Sequence, residues 1–164
     1  MLFDEEMMLL AIEQAKLAAS LGEVPVGAVI TDSSGNVIAS AHNTRETANK
    51  PTGHAEINAI EQAAAAVGSR RLSECTLYVT LEPCPMCAGA VINSGLKRLV
   101  YGAFDEKGGA CASVINLFEY GFSHTPLVRS RILESECSAL LSDFFRKLRD
   151  DKCSGRAADP AQEQ

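Results

Sequence analysis

The stretch CTLYVTLEPCPMCAGAVINSGLKRLVY, Cys75 to Tyr101, decides how the chain folds. Cys75 to Thr80 alternates β-branched and aromatic residues and predicts a strand. Pro83 to Asn93 restarts as a helix, with proline suited to a first turn whose N–H groups have no intrahelical partner. Gly95 stops it, and Leu99 to Tyr101 returns as a strand. Strand, helix, strand in under thirty residues is an α/β signature. Outward from this unit the alternation continues. A helix is predicted over Glu5 to Leu21, with Met8, Leu9, Ile12, Ala15 and Ala19 on its apolar face. A buried strand is predicted over Val24 to Ile30, hairpinned through Asp32–Asn36 to Val37–Ser40. Asn43 to Gly53 is a polar loop, and His54 to Val67 an Ala-rich helix stopped by Gly68. Val114 to Phe118 suggests a short helix, Leu127 to Ile132 a last strand, and Ser135 to Arg149 a last helix. This interspersion predicts a three-layer α/β/α domain over residues 1–150. The polar tail 151–164 is expected to be disordered at its end.

The chain has 164 residues, 46% hydrophobic and 22% charged, enough for one sizeable core. No apolar run approaches the length of a membrane span. Asp4, Glu5 and Glu6 precede the first apolar stretch, where a secretory signal would be basic. A cytoplasmic location is expected. The net charge of −6 disfavours a generic nucleic-acid coat. The charge is uneven, however: seven basic residues lie between Arg129 and Arg156 and one, Lys16, in the first forty. By composition alone that bias is most simply a solvated face.

Chemistry concentrates in two segments, Pro51-Thr52-Gly53-His54-Ala55-Glu56 and Glu82-Pro83-Cys84-Pro85-Met86-Cys87. Cys84 and Cys87 are three residues apart, so on a helical first turn both sulfurs face one way. A helix N-terminus also favours thiolates. His54 opens a helix too. One His and two Cys make the ligand count of a catalytic zinc site. A structural site would need a fourth ligand, for which Cys75 and Cys111 are candidates. Glu56, two residues after His54, decides for catalysis: a carboxylate beside an open metal position suits a general base. Cys75, Cys111, Cys137 and Cys153 then read as ordinary thiols, His42 and His124 as surface or loop residues, and Gly108-Gly109 as a turn.

With these residues in view, the sequence resembles the bacterial tRNA-specific adenosine deaminases, within the cytidine/deoxycytidylate deaminase superfamily. The likeness runs from Met7 to Arg149 through GEVPVGAVI, AHNTRE, PTGHAEINAI, TLYVTLEPCPMCAGA, YGAFDEKGG and ECSALLSDFFRKLR. His-x-Glu with Pro-Cys-x-x-Cys is the signature of zinc base deaminases. The resemblance implies a cytidine-deaminase-like fold with a mixed sheet of about five strands. It implies one zinc per chain on His54, Cys84 and Cys87, and proton transfer by Glu56. Asn43 and Ala55 would meet the flipped adenine and Asp105 its ribose. Phe144 and Phe145 would close the pocket and, with Arg146 and Arg149, meet a tRNA anticodon stem-loop. It further implies a homodimer and inosine formation at the wobble position, with an arginine tRNA as target. Two positions depart from the family pattern: Gly53, expected to loosen the turn before His54, and Phe104, which stands where some members have a polar or basic residue and is expected to alter the loop contacts there. A deaminase of free guanine or cytidine is the rival reading, and a non-catalytic zinc-bearing RNA-positioning subunit a second, disfavoured by Glu56.

Overall fold

The computed structural model describes residues 2–156. Five strands, β1 (Gly27–Thr31), β2 (Val37–His42), β3 (Thr76–Leu81), β4 (Arg98–Ala103) and β5 (Leu127–Arg129), form one sheet in the order β2-β1-β3-β4-β5. β1 pairs antiparallel with β2 and β3, whereas β3–β4 and β4–β5 are parallel. The sheet is therefore mixed, as expected. Side chains alternate between its two faces. Ile30, Leu77, Val79 and Leu99 join the cluster under α2 (Ala55–Val67) and α3 (Pro85–Ser94). Val29, Tyr78 and Val100 join the cluster under α1 (Phe3–Ser20) and α4 (Glu134–Arg156). Helices thus cover both faces, giving the three-layer domain.

Several boundaries differ from the sequence reading, each for a local reason. β1 begins at Gly27 rather than Val24, because Pro25 cannot donate to a ladder and the Val26 N–H turns back to the Val24 carbonyl. α1 buries Met8, Ala11, Ile12, Ala15 and Ala18, whereas Leu9 is 38% exposed. The buried stripe is rotated toward alanines because α1 lies close on β1: a Cβ on Gly27 would overlap the Ala11 carbonyl and the Ala15 amide. The predicted helix at Val114–Phe118 is a single 3₁₀ turn, Leu117–Glu119, with the Asn116 side chain accepting from the Phe118 N–H. β5 has three residues rather than six, since Arg131 takes a positive φ of 68°. α4 continues to Arg156, seven residues past its predicted end and through the first part of the expected tail; Ser154 bonds back to the Asp150 carbonyl there. Residues 157–164, the end of that tail, lie outside the described residues.

One buried acid ties the start of α1 to the sheet. Asp4 accepts two hydrogen bonds from Arg98 on β4 (3.0 and 3.3 Å), one from Arg129 on β5 (2.7 Å) and one from the Tyr78 hydroxyl on β3 (3.1 Å). Burial alone would raise its pKa, but the bonds from Arg98, Tyr78 and Arg129 outweigh it and hold the carboxyl below its ordinary 3.8. The Asp4 contribution is complete above that unfolded value and is lost as pH falls through the lower folded one. Because both arginines remain partly in water, Asp4→Ala is expected to cost about 1–3 kcal/mol near neutrality. Urea midpoints of the two proteins should converge as the pH falls through that lower folded value; a constant gap would contradict the assignment.

Candidate active site

α2 and α3 start at neighbouring points on one face of the sheet. His54 is the N-cap of α2 (φ −79°, ψ 149°) and Cys84 the N-cap of α3 (φ −72°, ψ 173°). Neither side chain caps its own helix, so both are free to point at each other. Pro85 sits at the first turn of α3. Cys87, one turn on, is fully buried. His54 Nδ1 lies 3.6 Å from Cys84 Sγ and 3.5 Å from Cys87 Sγ, and the three ligand atoms all fall within 4.8 Å of one another. A tetrahedral zinc with ordinary Zn–S and Zn–N bonds would separate sulfur from nitrogen by about 3.6 Å. The donor set therefore fits zinc in kind, number and spacing. Cys75 and Cys111, the candidates for a fourth ligand, do not join the group among the described residues.

The electrostatics agree. The Cys84 thiol is pulled down to about 4, first by a hydrogen bond from Cys87 and then by His54. Cys87 is pushed up by that same bond and by burial. One sulfur is thus already a thiolate, aided by the positive end of α3. His54 is raised, chiefly by its bond to Cys84. Glu56, in the first turn of α2, is 4% exposed, and burial pushes its carboxyl up to about 7. Such a group takes up and releases protons near neutral pH.

His54, Glu56 and Cys84 line a cavity of about 180 Å³ together with Val24, Val26, Asn43, Arg45, Ala55, Leu81, Glu82 and Asp105. The structure thereby brings together His54, Cys84, Glu56, Asn43, Ala55 and Asp105, all named from sequence. Asn43 is 5% exposed. Its amide donates weakly to the Val24 carbonyl (3.4 Å), while its Oδ1 is buried with no partner. An orphaned acceptor on a cavity wall is satisfied by a ligand N–H.

Phe144 and Phe145 are not on the cavity wall, contrary to the expectation that they close it. They pack edge to face on α4 at 5.4 Å. Phe145 and Arg149 instead line a separate groove with Lys107, Leu148 and Lys152, and Arg146 pairs with Asp143 at 2.8 Å. Gly53 does not loosen its turn: its N–H donates to the Lys50 carbonyl and its carbonyl accepts from Thr44. Phe104 is settled by an edge contact with Tyr101 at 5.5 Å and by the Arg131 guanidinium over its ring. His42 and His124 bond to the Asn43 and Leu96 carbonyls and belong to the scaffold, and Gly108-Gly109 closes a turn on Asp105.

Sequence reasoning missed Val24, Val26, Arg45, Leu81 and Glu82 on the wall. Val24 and Val26 had a signal, the Pro25 between them, which frees both from the strand. Arg45 and Glu82 had none, because only the tertiary fold brings them to the cavity.

The chain matches the MafB19-like deaminase family over residues 3–149. It is 51% identical to a tRNA-specific adenosine deaminase of Bacillus subtilis (strain 168), over 93% of this chain and 95% of that one. A solved structure from work on A-to-I editing by tRNA deaminases at the wobble position of transfer RNA superposes with a TM-score of 0.80 at 44% identity, covering 83% of this chain and 99% of that one. A guanine deaminase from Nitrosomonas europaea superposes at 0.75 with 26% identity, covering 85% and 83%.

The donor set predicts one tightly held zinc ion per chain after loading and dialysis. Cys87→Ala should lose it, since two remaining ligands bind weakly. Elemental analysis checks this; full occupancy in the variant, or a Cys84–Cys87 disulfide in active protein, would overturn the ligand assignment.

Proposed function

The chain belongs to the MafB19-like deaminase family, and on that footing we propose that it hydrolyses adenosine to inosine in tRNA with one zinc ion held by His54, Cys84 and Cys87. The observation that carries the reading is the buried Glu56 on the wall of the same cavity as His54, Cys84 and Asn43. Bound there, zinc supplies Lewis-acid activation of water near neutral pH. Glu56 takes a proton from the attacking water and passes one to the purine ring nitrogen as the oxygen adds to carbon 6. It then takes the remaining proton from the oxygen added at carbon 6 and delivers it to the departing amine; the carbon–nitrogen bond breaks, the carbon 6 carbonyl forms, and ammonia leaves with inosine as product. Asn43 Oδ1 accepts an N–H of the base, and the Ala55 backbone lines its seat. Asp105 meets the ribose.

A cavity of about 180 Å³ is below the roughly 300–1,000 Å³ of sites that bury a drug-sized ligand. It has room for one flipped base, and the rest of the substrate must bind outside. An anticodon loop suits this, since its bases are already partly unstacked and cost little to flip. We assign the wobble adenosine of an arginine tRNA as the target and the cytoplasm as the location. Among the described residues no helix is long and apolar enough to cross a membrane. The α4 groove of Phe145, Arg149, Lys107 and Lys152, with Arg146 beside it, is the place for loop phosphates and a stacked neighbouring base. A homodimer is part of the same reading, because one chain of this size has few elements left to wall a base pocket beside an RNA groove. Light scattering showing a fully active monomer at micromolar concentration would contradict that part.

Glu56→Gln should keep fold and zinc content and lose about 10⁴-fold in turnover or more, the upper end for a positioned proton-transfer group, because Glu56 serves several transfers. Near-normal turnover in the zinc-loaded variant would refute its role.

The deciding comparison is kcat/KM for an anticodon stem-loop against free adenosine, guanine and cytidine. The stem-loop should lead, because binding energy from remote contacts is needed to position the base. Neutralising Arg146 and Arg149 should weaken stem-loop binding and flatten its salt dependence without changing zinc content. A free base or nucleoside that matches the stem-loop would replace this reading with a small-molecule deaminase.

A further inference from the structure

Glu82 is an acid that the deamination chemistry does not use. It follows β3 directly, is 2% exposed, and stands two residues before Cys84. Its Oε1 accepts the backbone N–H groups of Cys111 (3.1 Å), Ala112 (2.7 Å) and Ser113 (2.9 Å). Its Oε2 accepts the backbone N–H of Asp105 (3.1 Å) and the Ser113 hydroxyl. Five donors on one carboxylate exceed its roughly four lone-pair sites. All five come from a loop 23 to 31 residues away.

The loop is shaped to receive that carboxylate. The Ala110 N–H donates to the Pro83 carbonyl at 2.9 Å, and the Gly109 N–H to the Asp105 carbonyl at 2.8 Å. Gly109 lies against Glu82 so closely that a Cβ there would overlap the carboxyl group. At the loop's start, Asp105 and Glu82 share the cavity wall with Cys84. The segment that carries Cys84 and the loop that brings Asp105 to the cavity wall are therefore joined through one side chain.

We propose that Glu82 is a positioning residue that clamps the loop 105–113 onto the Glu82–Cys84 segment and so fixes Asp105 where the substrate ribose enters. Its effect on substrate rests on the tRNA deaminase reading above; its effect on the loop does not. Charge-assisted bonds to backbone N–H groups are strong and directional, so the clamp adds to the burial of Ala110 and Cys111 in the core and reaches the parts of the loop that the core does not. Ala112 and Ser113 are themselves exposed.

Glu82→Gln separates the tethers. Three N–H donors require an oxygen at the Oε1 position, so the amide nitrogen must face the Asp105 N–H, donor against donor. The Ser113 hydroxyl can rotate to accept. The variant thus releases Asp105 selectively. Amide hydrogen exchange should quicken about tenfold or more from Asp105 to Gly109 and stay unchanged in α2 and α3. Zinc content should be unchanged. KM for the stem-loop should rise about tenfold, with kcat affected less. In an Asp105→Ala background, Glu82→Gln should change KM by less than about twofold, because the two act through one contact. Gly109→Ala, which crowds the carboxylate from the loop side and leaves Glu82 intact, should give the same exchange and KM pattern and serves if Glu82→Gln folds poorly. Unchanged loop exchange in the variants overturns the clamp. Fully multiplicative KM effects in the double variant overturn the link to Asp105. A wild-type chain without stem-loop turnover fails the deaminase reading, while the exchange measurement still judges the clamp.

Discussion

His54 and Cys84 are 30 residues apart in the chain and meet within 3.6 Å, and the site depends on that convergence. It is possible because each residue is the last extended residue before a helix. An N-cap side chain projects past the helix end instead of along its flank. Two helices that start side by side on one sheet face therefore aim their caps at a common point. β3 and the loop after β2 deliver the chain to those two starts. The sheet order matters for the same reason: β1 lies between β2 and β3, so α2, entering from β2, must cross back over β1 to meet α3. Its contacts are indeed with β2, β1, β3 and α3.

Convergence of polar groups in a buried place has a cost, which the structure offsets unevenly. Cys87 keeps its proton and donates to Cys84, and the α3 N-terminus favours the Cys84 thiolate. Asp4 and Glu82 are buried acids with four and five donors respectively, and their places are structural. Glu56 and Asn43 differ. Burial raises Glu56 instead of stabilising its charge, and Asn43 keeps an unbonded oxygen. Incomplete satisfaction falls at the cavity wall, where a ligand would complete it. Glu23, fully buried with one oxygen bonded to the Thr47 N–H and the other free, is a parallel case away from the cavity lining.

What the sequence disclosed, and what it did not, follows the range of the interactions. The strand-helix-strand unit at Cys75–Tyr101 was legible because period and stop signals are local. The His54, Cys84 and Cys87 donor group was legible because Cys-x-x-Cys on a first turn, and His followed by Glu two residues later, are also local geometries. The β1 start was misplaced because an apolar run does not reveal that Pro25 diverts its first residues to the cavity. The buried stripe of α1 was rotated because it follows a contact with Gly27, sixteen residues from Ala11. The α4 end was set short because a polar run such as Asp150-Asp151-Lys152 lacks an apolar stripe yet continues a helix already nucleated. Glu82 was illegible as anything but part of the Pro-Cys-x-x-Cys neighbourhood, since every group it binds is more than twenty residues away.

The uneven charge of the chain gains a location from the fold. Asp105 lines the cavity, and Lys107 follows two residues later, with its N–H bonded to the Asp105 carboxylate. Lys107 also lines the groove of Phe145, Arg149 and Lys152 on α4. One short loop therefore carries the cavity wall at one residue and a basic groove at the next but one. A net charge of −6 repels a polyanion at long range, but within a Debye length of about 8 Å the local basic groups dominate. Under the proposed function, a substrate whose base enters the cavity would have its flanking backbone led toward that groove. The acidic remainder of the surface disfavours nucleic acid bound in other registers. Under the proposed function, this charge distribution favours selectivity for where a strand lies over general affinity for strands.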